Sequence, residues 1–296
     1  AYAFAGCTDA SFEVEFTGEA NDPKLTIREK AFYGCTYLKQ VVLAPNVQAI
    51  EINAFGGNSL LKTVTVNSNG QKAEGQDVPT LNFDNYAFAD VRIPNMPYNF
   101  SVTALTIGAD VPAFDLVNVF GDNLTTFVID ANNQNYSAED NVIYDKAKTR
   151  IIFYPKTKTG EYVIPDTVLE IADNTFANRV FLTKVTVGKN VQKIGASAFE
   201  NCHALTEVVF ADQSVLTSIG NYAFRGCQQL QTVTLPAKLK TLGAENQDML
   251  VFDGCGQLKT INIAEGNTSF AQENGILYAL DAGGNKAELI CVAAIE

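Results

Sequence analysis

Five of the six cysteines follow a phenylalanine by three positions, and this spacing constrains the fold more than any other feature of the chain. The pairs are Phe4/Cys7, Phe32/Cys35, Phe199/Cys202, Phe224/Cys227 and Phe252/Cys255. An alanine precedes the phenylalanine in four of them and Val251 in the last. Three residues after the cysteine comes Leu38, Leu205, Leu230 or Leu258, and then an apolar pair in period two: Val41/Leu43, Val208/Phe210, Val233/Leu235 and Ile261/Ile263. The frame recurs without cysteine from Phe55 to Val66, Phe88 to Ile107, Phe120 to Ile129 and Phe176 to Val187. Nine units tile the chain, with successive phenylalanines 28, 23, 33, 32, 56, 23, 25 and 28 residues apart. A basic period of 23 with insertions marks a solenoid, in which each unit leaves an apolar edge that only the next can cover.

One unit shows how the residues fold. Thr232 to Leu235 alternates polar and apolar with β-branched residues, so it reads as a short strand with one buried face. Pro236 ends it, because proline cannot donate to a ladder. Gly220-Asn221 starts a turn, and Asn221 to Gly226 is long enough for one helical turn burying Ala223 and Phe224. Phe32, Phe55, Phe199, Phe224 and Phe252 are expected to stack in one buried row.

This pattern resembles the BspA-like leucine-rich repeat family, whose signature is I-G-x-x-A-F-x-x-C-x-x-L-x-x-V-x-L. The match is close at Ile194 to Phe210 and at Ile219 to Leu235, and looser at 50–66 and 81–107. The resemblance implies a β-rich α/β solenoid: a right-handed leucine-rich-repeat superhelix of about nine repeats, with short strands and short helical turns. Residues 1–296 are then a single solenoid. Two inserted β-hairpins are expected, at about 133–155 and 267–292. In the first, Val142-Ile143-Tyr144 and Ile151 to Tyr154 flank turn residues. In the second, Ile276-Leu277-Tyr278 and Leu289-Ile290 flank Gly283-Gly284-Asn285. The Asn133–Tyr144 and Asn267–Tyr278 separations are both 11. A repeat already under way at Ala3-Phe4 implies sequence upstream of residue 1.

Chemistry is sparse. His203 is the one histidine, which excludes mechanisms and metal sites needing two. No cysteines are spaced C-x-x-C, and no nucleophile elbow, phosphate loop, dinucleotide fingerprint or H-E-x-x-H occurs. Asp130 to Asn135 offers oxygen ligands but lacks the glycine and final glutamate of a calcium loop. No metal, cofactor or catalytic residue is therefore assigned, and the chain reads as a non-enzyme. A thiol repeated at one solenoid position is most simply a small buried hydrophobe. A disulfide between adjacent units needs specific geometry, and a nucleophile would need a base that only Cys202 has beside it, in His203. Cys291 falls outside the frame. The net charge of −12, without a Lys/Arg run, argues against nucleic acid and anionic membranes. No apolar run has the length of a membrane span, so no direct membrane insertion is expected.

Binding is better founded. Residues alternating with the buried strand positions face solvent along one side of the solenoid. They include Thr63, Thr65, Thr106, Thr126, Lys184, Thr186, Glu207, Thr232, Thr234 and Asn262, a threonine-rich and nearly neutral row. Such a row keeps a sheet soluble, and it is also the concave face a solenoid offers a partner. An insertion carrying Met96, Tyr98 and Phe100 beside prolines is a second candidate. The resemblance implies an exported bacterial surface or secreted protein that binds proteins, with adhesion to host extracellular-matrix or cell-surface proteins. A monomer is expected. The alternatives are a structural spacer presenting a neighbouring domain and a carboxylate-based hydrolase.

Overall fold

The period-two stretches are strands in the computed structural model of the chain, which describes residues 3–7, 11–19, 22–67, 81–84, 87–90, 99–243 and 250–292. The chain forms two compact units, Ala1–Lys146 and Ala147–Glu296. In the first, Phe12–Glu15, Leu38–Leu43, Thr63–Val66, Ala104–Ile107 and Thr126–Ile129 form a five-stranded parallel sheet in that order. In the second, Gly160–Val163, Leu182–Val187, Glu207–Phe210, Thr232–Leu235 and Thr260–Ile263 do the same. Sequential strands that are parallel neighbours require a full circuit of chain between rungs. Every circuit except that from Ile107 to Thr126 carries a second, shorter rung, such as Lys193–Ile194 beside Ser218–Ile219. The structure is thus a β-solenoid, and its inward residues Val41, Val64, Val185 and Val233 are fully buried.

The phenylalanines stack in a row in each unit. Phe4, Phe32, Phe55 and Phe88 lie 5.0, 5.1 and 5.0 Å apart with planes within 14°. Phe176, Phe199, Phe224 and Phe252 lie 4.8, 5.2 and 5.7 Å apart with planes within 9°. Phe120 and Tyr154 extend the rows, with ring centroids 4.8 Å from Phe88 and 4.9 Å from Phe176.

Apart from Phe120, which ends a short α-helix, the phenylalanines are carried by turns that are not helical. At 220–227 the N–H groups of Ala223, Arg225 and Cys227 bond to the carbonyls of Gly220, Tyr222 and Phe224, giving consecutive tight turns. Tyr222 and Gly226 have φ of +59° and +70°. These reversals leave the N–H groups of Phe224 and Gly226 directed along the stack, to Val251 and Asp253 carbonyls at 2.9 and 2.7 Å. A helix would have kept those donors inside its own coil; here they join coils. Ala223 and Phe224 are buried, as the sequence predicts. Gly226 suits its place because its φ is left-handed, a conformation that Asn178 and Asn201 adopt at the equivalent positions of earlier coils. Among the described residues the α-helix is Leu116–Phe120.

The cysteine column has a role beyond packing. Cys35, Cys202 and Cys227 are fully buried, Cys255 nearly so, and all are free thiols. Each thiol donates to the phenylalanine carbonyl one coil earlier: Cys35 to Phe4, Cys202 to Phe176, Cys227 to Phe199 and Cys255 to Phe224, at 2.9 to 3.2 Å. Where the frame lacks cysteine, other donors take over. Asn58 Nδ2 bonds to the Phe32 and Phe55 carbonyls at 3.0 and 2.8 Å. Arg179 Nε bonds to the Tyr154 carbonyl at 2.8 Å.

The insertions form antiparallel pairs. Tyr136–Glu139 pairs with Val142–Asp145 through a turn at Asp140-Asn141, both with positive φ. Two consecutive left-handed residues close this two-residue hairpin. Phe270–Glu273, Ile276–Leu280 and Lys286–Val292 form a three-stranded antiparallel sheet. Cys291 lies in its last strand, opposite Leu277.

Candidate functional site

Because side chains alternate along a strand and the rungs are in register, outward residues align into continuous rows. In the first unit these are Glu13, Gln40, Thr63, Ala104, Thr126 and, alongside, Glu15, Val42, Thr65, Thr106, Val128. In the second they begin with Glu161, Lys184, Glu207, Thr232, Thr260. A second row there includes Val163 beside Thr186, then Val209, and Thr234 beside Asn262. All ten strand-face candidates therefore stand at outward positions, four in the first unit and six in the second. The rows are less neutral than the sequence suggests. Their first rungs carry Glu13, Glu15 and Glu161, outside the strands that the cysteine frame locates. Period-two alternation in Phe12-Glu13-Val14-Glu15-Phe16 was the signal for the first.

Lys184 stands between two acids. Its ammonium is 2.9 Å from Glu207 Oε2. The hydrogen bond to Glu207 raises its pKa, with a smaller push from Glu161. The pair is solvent-exposed and contributes little to stability; it fixes where the charges sit. Val163 and Val128 are the most exposed apolar residues of the rows, at 66% and 63%.

One rung is irregular. The residue after the strand usually donates its N–H to the end of the preceding strand: Asn67 to Leu43, Gly108 to Val66, Asp130 to Ile107, Ala211 to Val187 and Ala264 to Leu235, at 2.9 to 3.0 Å. At the same place Pro236 has no N–H, so the Phe210 carbonyl lacks the bond its counterparts receive. Pairing of 207–210 with 232–235 accordingly stops at Val208/Val233. The chain from Phe210 to Ile219 is also two residues longer than from Val187 to Ile194. The extra length falls in the loop Ala211 to Ser214, where Gln213 has φ +60°. Together these features open a groove of about 580 Å³, lined by Val209, Phe210, Pro236 and Ala237 with Glu207, Asp212, Thr232, Thr234 and Lys238 among the polar groups.

The second candidate set is not assembled here. Met96 and Tyr98 lie outside the described residues, and Phe100 belongs to a short strand, Asn99–Phe100, paired with Ala89–Asp90.

The family model described as "BspA type Leucine rich repeat region" matches residues 1–109 and 149–274, in six copies. The chain belongs to this family. Its match is interrupted where Tyr136–Glu139 and Val142–Asp145 lie. Among solved structures the BspA-type chain is similar to the pneumococcal vaccine antigen PcpA, with a TM-score of 0.58 and 21% identity over 84% of this chain and 56% of that one. It is also similar to a leucine-rich repeat protein from Eubacterium ventriosum, with a TM-score of 0.55 and 26% identity over 84% of this chain and 72% of that one. The chain thus spans little more than half of the pneumococcal antigen. No curated protein matches it.

The BspA-type frame also settles the tempting neighbours Cys202 and His203. Cys202 is fully buried on the Phe176 carbonyl, and burial pushes its thiol up to about 12, whereas His203 is exposed. The two point apart, and no base meets the thiol. Among the described residues no group of three His, Cys, Asp or Glu side chains is arranged to hold a metal ion, and no helix is long and apolar enough to cross a membrane.

Proposed function

We propose that this BspA-type chain is a non-enzymatic recognition module of an exported bacterial protein, acting at the cell surface or after secretion. It binds a protein partner through the outward strand rows. The observation that carries this reading is the register. Rungs from widely separated sequence segments present Thr63, Thr65 and Thr106 in one unit, and Thr232 and Thr260 in the other, as aligned solvent-facing rows whose inward alternates are fully or almost fully buried. A rigid, pre-ordered array loses little conformational entropy on binding. The family resemblance extends the reading to adhesion, with host extracellular-matrix or cell-surface proteins as partners.

The test is binding to an immobilised panel of extracellular-matrix proteins, with Thr→Glu variants at Thr63, Thr126, Thr186 and Thr232. Loss of a specific signal by at least tenfold in a folded variant supports recognition by the rows. Unchanged binding in all four refutes it, and no binding to any panel member favours a spacer.

A further inference from the structure

We propose that Cys7 and Cys35 form an oxidisable pair that closes into a disulfide between the first two coils, clamping the coil that carries the Glu13/Glu15 rung. Three observations meet here. First, the two coils are in backbone register on both sides of Phe4: its N–H bonds to the Ala31 carbonyl at 2.8 Å and the Gly6 N–H to the Tyr33 carbonyl at 2.9 Å. The Phe4 and Phe32 rings stack at 5.0 Å. Cys7 and Cys35 occupy equivalent positions of these coils. Parallel backbones run about 4.8 Å apart, inside the roughly 4.4–6.8 Å window of Cα separations that a disulfide spans. Second, the Cys35 sulfur lies 2.9 Å from the Phe4 carbonyl oxygen and so faces the segment that carries Cys7, and Cys7 and the Gly6 backbone are among the neighbours that bear on its raised pKa. Third, Cys7 is exposed while the Cys35 residue behind it is fully enclosed.

The same comparison sets the other column members aside. Cys202, Cys227 and Cys255 also follow one another at one-coil intervals, but all three are buried, and none offers the exposed entry thiol that Cys7 does. Burial holds the Cys202 and Cys227 thiols protonated, and only a thiolate attacks a disulfide. On the other side of Cys35 the column position is Asn58, so Cys7 is the thiol next to Cys35 in the column.

The oxidant is a small-molecule disulfide, such as oxidised glutathione. The Cys7 thiolate attacks one of its sulfurs, the glutathione S–S bond breaks, and one glutathione thiolate leaves and takes up a proton. Cys35 then loses its proton and attacks Cys7 Sγ, releasing the second glutathione. One protein S–S bond forms, two protein thiols are oxidised, and both electrons leave in two glutathione thiols. Burial raises the Cys35 pKa, so the second step is the slow one and quickens with pH. Closure gives up the Cys35 thiol's bond to the Phe4 carbonyl and replaces it with a covalent tie between the coils.

The test incubates the full chain with oxidised and reduced glutathione at set ratios. Free thiols are then trapped with a maleimide in denaturant and the protein is mapped by mass spectrometry. Two of the six cysteines are expected to escape alkylation, in a Cys7–Cys35 linked peptide. The Cys35→Ser variant is expected to stop at glutathione on Cys7, and Cys7→Ser, a change at an exposed position, to leave all remaining thiols free. Amide exchange at Phe4 and Gly6 is expected to slow at least tenfold on oxidation. Glutathione persisting on Cys7 of the wild type, a link between any other pair, or unchanged exchange at Phe4 and Gly6 after linkage would overturn the proposal.

Discussion

Cys227→Ala tests whether the repeated cysteine is a hydrogen-bond donor or merely a small apolar filler. Cys227 is fully buried, and its thiol lies 3.2 Å from the Phe199 carbonyl. Alanine removes the sulfur and leaves that carbonyl with one donor instead of two, the Cys202 N–H at 3.2 Å. Losing one of its two hydrogen bonds costs about 0.5–1.5 kcal/mol, and deleting one buried methylene-sized group adds about 1 kcal/mol. The expected loss is about 1.5–2.5 kcal/mol. Serine restores a donor at nearly the same place, so Cys227→Ser is expected to recover about 1 kcal/mol relative to alanine. Urea unfolding followed by far-UV circular dichroism provides the comparison, since the chain has no tryptophan. The slope of ΔG against urea must match between variants, because repeat arrays can lose cooperativity. If serine and alanine are equally destabilised, or alanine loses less than about 1 kcal/mol, the donor account fails and packing alone explains the column.

Three further outcomes follow from the same geometry. Phe199→Ala removes a ring stacked on both sides and fully buried, so a loss of about 3–5 kcal/mol is expected; Phe252→Ala, with a single ring neighbour in the row, is expected to lose less, as paired urea titrations would show. Pro236→Ala supplies the missing N–H: the new amide is expected to gain exchange protection and the groove to narrow, while net stability moves by less than about 1 kcal/mol because proline's restriction of the unfolded chain is lost. An amide at 236 that exchanges freely refutes the broken-rung explanation. At alkaline pH, unfolded thiols titrate near the ordinary 9.0 while folded Cys202 keeps its proton to about 12. Its stabilisation is therefore complete below pH 9 and lost as pH rises toward 12, at about 1.4 kcal/mol per unit, and the advantage of wild type over Cys202→Ala must shrink over that window.

The inward half of the fold was legible because it obeys a period. Phe, Leu and the paired strand residues recur at fixed offsets, and their burial follows from alternation alone. The carbonyl that each cysteine meets was not legible, since it belongs to the preceding coil and only a stacked structure brings it near. A clue was present: Asn58 and Arg179 stand where the frame has cysteine, and what the three share is a donor, not apolarity. The helical turn was misread for a related reason. Residue count permits a helix, but the donors of Phe224 and Gly226 are claimed by the next coil. The groove needed two sequence facts read together, the 25-residue spacing and the proline after Leu235.

These constraints divide each coil into residues the stack dictates and residues it leaves open. Ladder donors, stacked rings and column donors are fixed by neighbours one coil away. The outward positions have no such duty, so their identities report on something besides the stack. In the second unit they run from Glu161, Lys184 and Glu207 to Thr232 and Thr260, charged at one end and uncharged at the other. Neutral rungs offer a partner little electrostatic steering; shape and hydrogen bonds must supply the affinity there. The broken rung lies where the charged and neutral stretches meet, adding a concave apolar surface and an underused carbonyl to an otherwise regular face. A partner that reads this face would therefore lose binding through Thr232 and Thr234 at any ionic strength, while changes at Glu207 would act through a salt-dependent association rate.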